Sequence, residues 1–164
     1  MFKIHRDAKR WSDKLLYSTS PFKTQFDIYY LSFIVGIGLG RSVQFEGAMT
    51  TDITRDVPKN FLEYRYSLAG LLLVSGLNNA GLPLNKTLVK SRVQELLDSH
   101  SQSFLSEKAT ELMNCFAFAG FEAMREEMPR VPEAHDFLIW YHNVMLPKCF
   151  QDDIWNFQDD IITG

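Results

Sequence analysis

Apolar residues recur at helical spacing along most of this chain, and the densest run lies between Thr24 and Arg41. One face of this run repeats at intervals of three and four residues: Phe26, Tyr29, Tyr30, Phe33, Ile34 and Ile37. Further apolar residues load the other faces, and a helix that is apolar on nearly every side is buried. Thr24 with Asp27 three residues later is typical of a helix start. The pattern therefore predicts a buried central helix.

Three glycines, Gly36, Gly38 and Gly40, lie near the end of this run. Glycine weakens a helix, so they indicate either early termination or close approach by a neighbouring element. Their spacing is not the Gly-x-Gly-x-x-Gly of a dinucleotide site, and it follows a helical rather than a strand pattern. The run is shorter than the roughly 20 apolar residues of a membrane span, and it contains Asp27. We expect another helix to press closest at this end.

Four further segments carry a helical stripe with turn residues at their ends. They are 58–79, closed by Gly81; a helix opening near Asn85, with Leu96 and Leu97 inside; 106–128; and 133–145, stopped by Pro147. The chain thus predicts a mainly α fold, a compact bundle of about five helices with a short irregular or β-like segment near residues 43–55. The expected organisation is a basic N-terminal segment (1–21), a helical core domain (22–146) and an acidic, aromatic C-terminal tail (147–164).

The composition is that of a globular protein rich in aromatic residues. Of the 164 residues, 46% are hydrophobic and 13% aromatic, including 13 Phe. A chain of this length suits one domain and buries about 70% of the surface of its unfolded form, so it requires no metal or disulfide. The two cysteines, Cys115 and Cys149, lie in unrelated contexts, which favours a reducing, cytoplasmic environment.

The net charge of −3 is unevenly placed. Residues 1–25 carry six basic and two acidic residues, whereas residues 122–164 carry three basic and nine acidic ones. Such asymmetry can steer partners. The candidates for nucleic-acid contact are basic residues in two predicted helices: Lys9, Arg10, Lys14, Lys86, Lys90 and Arg92. The last three follow a short Gly/Pro turn between two helices, as in a helix-turn-helix, although solvated helix faces give the same pattern.

Aromatic residues off the main stripes are the candidates for partner contact. Phe118 and Phe121 imply that their helix is covered on a second side, either by the N-terminal segment, where Trp11 would line a short helix, or by a partner chain. Glu63 and Arg65 are too close in sequence to share a helix face, so each meets solvent or a partner separately. The tail mixes acidic and apolar residues, and it docks on this domain or on another subunit. Its candidate residues are Asp152, Asp153, Trp155 and Phe157.

The sequence shows no pattern for catalysis or metal binding. His135 and His142 are seven residues apart, without the spacing or the further ligands of a zinc site. A Gly-x-Ser-x-Gly motif and a phosphate-binding loop are absent, and neither cysteine has a local His motif. Neighbouring carboxylates in a terminal segment are poorly positioned for acid–base work. We therefore expect a protein that is not an enzyme and has neither a cofactor nor a metal.

Four segments together resemble a known family. They are Phe26-Asp-Ile-Tyr-Tyr-Leu-Ser-Phe-Ile-Val-Gly, Thr51-Asp-Ile-Thr-Arg-Asp-Val-Pro, Tyr64-Arg-Tyr-Ser-Leu-Ala-Gly-Leu-Leu-Leu and Ala119-Gly-Phe-Glu-Ala-Met-Arg-Glu-Glu. These resemble the small middle subunit of Lamassu-type bacterial defence systems, which have three components including an ABC protein. The likeness spans most of residues 22–145 and consists of packing residues. It implies a non-enzymatic subunit that works with an SMC-like ATPase and a nuclease-type effector against plasmids or phages, with DNA sensed by the assembly.

The leading expectation is thus a helical adaptor that binds an ATPase and an effector. The alternative is a stand-alone helical DNA-binding regulator that uses the basic residues of the two predicted helices, and a small helical enzyme is the third hypothesis. Salt-dependent binding of the isolated chain to duplex DNA separates the first two.

Overall fold

The computed structural model describes residues 1–17, 19–81 and 85–149, and it is mainly helical with one two-stranded antiparallel sheet. The strands are β1 (Phe2–His5) and β2 (Thr50–Thr54). The α-helices are α1 (Arg6–Leu15), α2 (Gln25–Gly38), α3 (Arg65–Asn79), α4 (Lys86–Leu96), α5 (Glu107–Glu127), α6 (Ala134–Trp140) and α7 (Leu146–Cys149). Short 3₁₀ helices, Gly47–Met49 and Lys59–Tyr64, precede β2 and α3. The predicted mainly α fold with a short β segment is confirmed.

Helices α2 and α5 cross at the centre of the fold. A Cβ atom at Gly120 would overlap the carbonyl oxygen of Ser32 and lie 2.5 Å from the nitrogen of Gly36. A Cβ atom at Gly36 would overlap the carbonyl oxygen of Phe116. Only glycine allows the two backbones to meet so closely. The close approach predicted for the glycine-rich end of α2 is therefore present, centred on Gly36.

The start of α2 has the predicted capping-box arrangement, in which the Thr24 side chain faces the backbone amide of Asp27 and the Asp27 side chain faces that of Thr24. The carboxylate of Asp27 accepts a hydrogen bond from the backbone amide of Thr24 at 2.7 Å. Among the described residues, the Thr24 hydroxyl has no hydrogen-bond partner. The acidic side chain therefore carries the cap, as expected from its position near the positive end of the helix dipole.

The N-terminal segment packs into the core. Strand β1 pairs with β2, lies on α5 and leads directly into α1. Phe2, Ile4, Trp11 and Leu15 are all buried. The helix that carries Trp11 and Leu15 was predicted, but β1 was not, because four residues are too few to show a strand periodicity.

The chain after residue 133 is helical for longer than predicted. Helix α6 continues through a π-helical turn (Tyr141–Met145) into α7, which contains Pro147 rather than ending before it. In the π-helical turn the Leu146 amide donates to the Tyr141 carbonyl, five residues back. This wider turn changes the backbone geometry that makes proline clash with the preceding turn of an α-helix, so Pro147 is accommodated.

The ends of helices α4 and α3 differ in how well the sequence predicts them. Leu97, predicted to face inward, is 38% exposed because α4 ends one residue before it. Gly81 has the positive φ of 63° that a residue closing a helix requires, as predicted for the end of α3. None of the helices in the described ranges combines the length and the hydropathy of a membrane span.

Candidate interaction surface

The aromatic residues predicted for partner contact lie inside the fold. Trp11, Phe118 and Phe121 are each less than 5% exposed. The ring of His5 lies 4.8 Å from the ring of Phe118 and 5.2 Å from that of Phe121, and Trp11 meets Phe121 edge to face at 5.2 Å. The element that covers this side of α5 is thus the N-terminal segment. These three residues are core residues, so a partner surface must be sought elsewhere.

The tail residues predicted for partner contact, Asp152, Asp153, Trp155 and Phe157, lie outside the described residues. The chain leads into the tail from Cys149, which is buried against Gly38 at the end of α2. Burial raises the pKa of the Cys149 thiol to about 11. The thiol is therefore protonated at neutral pH and unreactive, and Cys149 is a core residue.

The basic residues predicted on α1 are exposed, and two of the three are neutralised locally. Arg10 pairs with Asp7 at 3.3 Å, and Lys14 pairs with Glu133 at 2.8 Å. Within the described parts of the chain, Lys9 forms no ion pair. A phosphate would have to displace these carboxylates, which weakens the nucleic-acid interpretation of α1.

Of the basic residues predicted on α4, one is neutralised by an ion pair and two have no such partner among the described residues. Arg92 and Lys108 both bind the carboxylate of Glu95. The hydrogen bond from Lys108 and then that from Arg92 lower the pKa of Glu95. Lys86 and Lys90 are exposed one helical turn apart, and neither forms an ion pair with a described residue. Only these two lysines of α4 are available for an external anion.

A cleft of about 650 Å³ lies beside this ion-pair network, between the N-terminus, α4 and α5. Its charged lining is mixed: Lys3, Arg92, Glu107, Lys108 and Glu111. The described residues contain no group of three or more His, Cys, Asp or Glu side chains suited to a metal ion. With basic and acidic groups interspersed, the cleft favours no ligand of one charge.

Asn114, at the wall of this cleft, holds the N-terminal strand in place. Its Oδ1 accepts hydrogen bonds from the Lys3 amide at 3.1 Å and from the Tyr29 hydroxyl at 2.9 Å. Its Nδ2 donates to the Met1 carbonyl at 3.1 Å. Each of these bonds joins parts of the fold that are distant in sequence. Asn114 therefore has a structural role.

A partly exposed aromatic surface lies at the start of α3, and we name it the Arg65 cluster: Tyr64 and Tyr66, which are exposed, and Arg65 and Phe104, which are half-buried. The guanidinium carbon of Arg65 lies 5.0 Å from the centroid of the Tyr66 ring and 4.7 Å from that of Phe104. Tyr64 is 49% exposed and Tyr66 63%. Two rings thus fix the direction of a cation at the protein surface.

The guanidinium of Arg65 has no acidic partner in residues 1–17, 19–81 and 85–149. Its Nε is buried without a hydrogen-bond partner among those residues, and its Nη2 makes one long bond of 3.5 Å to the Tyr66 hydroxyl. The nearest acidic residue in sequence, Glu63, forms no ion pair with Arg65, and its interaction with the Tyr64 phenol raises the pKa of that phenol. A buried N–H without an acceptor costs about 1–3 kcal/mol.

Phe104 is held over Arg65 in a strained conformation. Its φ is 59°, in the left-handed region that bulky residues rarely adopt. Its amide donates to the Ser101 carbonyl, and its carbonyl accepts from the Asp98 amide, both at 3.0 Å. These bonds maintain the strain, and strain of this kind is concentrated at functional sites. No local sequence pattern marks Phe104, which is why the sequence did not reveal the cluster.

No protein-family model, curated protein or solved structure matches this chain. Among the described residues, the Arg65 cluster is the surface whose geometry is best suited to recognition, because its two tyrosines are exposed, two aromatic rings contact its guanidinium, and that guanidinium has no acidic partner among these residues.

Proposed function

We propose that this chain is a non-enzymatic adaptor subunit, and that the Arg65 cluster is a partner-binding surface. The observation that carries the proposal is the half-buried guanidinium of Arg65, which lies against the neighbouring rings of Tyr66 and Phe104 and has no carboxylate partner in the described residues. Tyr and Arg dominate the energetics of protein interfaces, since they combine a large apolar area with directed hydrogen bonds.

The proposed partners are those that the family resemblance implies: an SMC-like ATPase and a nuclease-type effector of a bacterial defence complex in the cytoplasm. DNA would then be contacted through the complex rather than by this subunit. Three residues of the Arg65 cluster belong to the segment Tyr64-Arg-Tyr-Ser-Leu-Ala-Gly-Leu-Leu-Leu, one of the four that carry the resemblance.

Purification of the tagged chain from its native host tests the proposal. We expect an ATPase and an effector to co-purify, and we expect Arg65→Ala or Tyr66→Ala to reduce their recovery about tenfold, the loss associated with a central interface residue. The matched controls are Arg130→Ala and Tyr17→Ala, which change exposed residues of the same types elsewhere. Recovery of the wild-type chain as a monodisperse monomer would refute the adaptor role, and equal losses in the control variants would refute the assigned surface.

The second candidate function is a stand-alone DNA-binding regulator. It is favoured by Lys86 and Lys90, which are exposed on one face of the second helix in the α3–α4 hairpin. Binding of the isolated chain to duplex DNA, measured at several salt concentrations, distinguishes the two functions. A micromolar or tighter complex at physiological salt that is lost in Lys86→Ala/Lys90→Ala but kept in Lys9→Ala would favour the regulator.

A further inference from the structure

One face of helix α4 is only partly covered by the described part of the chain. Within this helix, only Leu96 is fully buried. An isolated helix of 11 residues is marginally stable in water, so most of its stability comes from packing. Yet Val89 and Val93 are only half-buried, and Leu97, which follows the helix, is 38% exposed. The described residues therefore leave apolar area on α4 uncovered.

The uncovered residues form a regular pattern. The aliphatic ones recur every four positions along one face of α4: Val89, Val93 and Leu97. Two lysines, Lys86 and Lys90, each precede one of the valines by three residues, so they border the same face. Both lysines are exposed, and neither forms an ion pair with a described residue. We name these five residues the α4 strip, which is about 17 Å long.

The α4 strip leads into the Arg65 cluster. The residue after Leu97, Asp98, donates its amide hydrogen to the Phe104 carbonyl at 3.0 Å. The centroid of the Phe104 ring lies 5.2 Å from that of Tyr66 and 4.7 Å from the guanidinium carbon of Arg65. The end of the α4 strip and the cation of the Arg65 cluster are thus linked through Phe104. Together the two surfaces carry three cations that have no acidic partner among the described residues.

The charge around the α4 strip indicates the kind of molecule that fits it. Within residues 85–97, three side chains are basic and only Glu95 is acidic. The carboxylate of Glu95 is already held by Arg92 and Lys108. A partner therefore meets net positive charge around an apolar centre, and the complementary surface has aliphatic side chains in its middle and carboxylates at its rim. An amphipathic helix with carboxylates beside its apolar stripe has this arrangement.

Duplex DNA fits the same surface less well. Phosphates attract the two lysines of the α4 strip, but they offer nothing to the aliphatic side chains that lie between those lysines. A protein that binds a duplex strongly through its backbone makes about 6–10 phosphate contacts, whereas the two joined surfaces offer three cations without an acidic partner among the described residues. The combination of few cations and a line of aliphatic residues favours a protein partner.

We infer that the α4 strip and the Arg65 cluster form one docking surface for an acidic amphipathic helix of a partner protein. The apolar stripe of that helix packs on the aliphatic residues of the α4 strip, and its carboxylates pair with the three cations. A helix of about three turns matches the length of the strip, because each turn rises about 5.4 Å. This inference rests on the proposed adaptor function and names the chemistry of the partner.

A designed peptide tests this surface on the full chain. The probe is a helical peptide of about four turns that carries leucine along one face and glutamate on both sides of it. The control peptide has glutamine in place of every glutamate. Binding is followed through the chemical shifts of the backbone amides of the isotope-labelled chain. We expect shift changes concentrated in residues 86–97 and at Tyr66 and Phe104, and an affinity about tenfold lower for the glutamine peptide.

Two variants separate the charged and the apolar contributions. We expect Lys86→Gln/Lys90→Gln to weaken binding of the glutamate peptide about tenfold and to reduce its advantage over the glutamine peptide. We expect Leu97→Ser to weaken both peptides about tenfold, with an unchanged circular dichroism spectrum because this side chain is not part of the core. The matched controls are Lys9→Gln, an exposed lysine of α1, and Leu138→Ser, a leucine of α6 that is 36% exposed.

The outcomes that would overturn the inference are distinct. They are an absence of shift changes in the α4 strip at millimolar peptide, equal affinity for the two peptides, and equal losses in the control variants. Duplex DNA that displaced the peptide at physiological salt would identify a nucleic-acid surface instead. Shifts of the same amides on dilution of the chain alone would identify a second copy as the occupant. Either result would overturn a partner helix.

The adaptor function is decided by a separate measurement, the co-purification of an ATPase and an effector. If those partners co-purified but the glutamate peptide did not bind, only the helix-docking surface would be overturned. If the peptide bound as expected but the chain purified alone, the adaptor function would be overturned and the helix-docking surface would stand.

Discussion

The crossing of α2 and α5 makes a sharp prediction at Gly120. A Cβ atom at this position would lie under 3.0 Å from backbone atoms of Ser32 and Gly36, on the opposite helix. Backbone atoms of a packed helix cannot rotate away as the end of a side chain can, so the two helices would have to separate. Gly120→Ala therefore tests whether this contact fixes the distance between the central helices.

The expected destabilisation is large for the addition of one methyl group. Overpacking of a well-packed core costs about 1–3 kcal/mol, and we expect the upper end because both facing groups are backbone. In a domain of this size each kcal/mol lowers the melting temperature by about 2–4 °C, so Gly120→Ala should lower it by about 6–12 °C. Thermal unfolding followed by circular dichroism at 222 nm, with urea unfolding at 25 °C, measures both quantities.

Gly70→Ala is the matched control, because Gly70 also lies within a helix but its added Cβ would meet nothing within 4 Å. Here the helix preference of alanine should dominate and stabilise the protein by up to about 1 kcal/mol. The same glycine-to-alanine substitution is thus expected to lower the free energy of unfolding at Gly120 and to raise it at Gly70. A Gly120→Ala protein that melted at or above the wild-type temperature would show that the backbones of α2 and α5 do not meet so closely at Gly120.

Three further predictions concern the N-terminal strand and the cysteines. Asn114→Ala should cost about 2–3 kcal/mol in urea unfolding, because it leaves the buried Tyr29 hydroxyl and the strand backbone without partners, and Tyr29→Phe added to this variant should recover part of the loss. Burial, and then the charge of Arg125, lower the pKa of His5 from 6.5, so the unfolded chain binds more protons and the melting temperature should fall as pH drops below about 6.5. His5→Asn, which keeps a helix-capping acceptor, should reduce that pH dependence. In the folded protein, both buried thiols should react slowly with an aromatic disulfide reagent and become fast in urea, and rapid labelling of Cys149 without denaturant would contradict its burial.

The sequence predicted the elements whose signals are local. Helices α2 and α5 have long apolar stripes, and α5 begins at the expected Ser106, whose side chain caps it by accepting from the Ala109 amide. Gly81 closes α3 as expected. Within the helices, periodicity and turn chemistry were sufficient, because the hydrogen bonds that define these elements join residues close in sequence.

Features that depend on distant residues could not be predicted in the same way. Phe104 meets Arg65 across a gap of 39 sequence positions, and no pattern near either residue encodes that contact. Phe118 and Phe121 were recognised as covered, but the sequence could not decide between a partner and the N-terminal segment, which is the element that covers them. The sequence predicts that the last helix stops before Pro147, whereas the preceding π-helical turn accommodates this proline within the helix.

The attachment of β1 to Asn114 has a consequence for synthesis on the ribosome. The two residues joined by the Lys3 hydrogen bond are 111 positions apart. At about 5–20 residues per second, roughly 6–20 s pass between their translation. During that time Phe2 and Ile4, which are buried in the finished fold, lack the surface of α5 that covers them. A cell that makes this protein must therefore protect an apolar leading strand until most of the chain has been translated, and slower translation would lengthen the exposure.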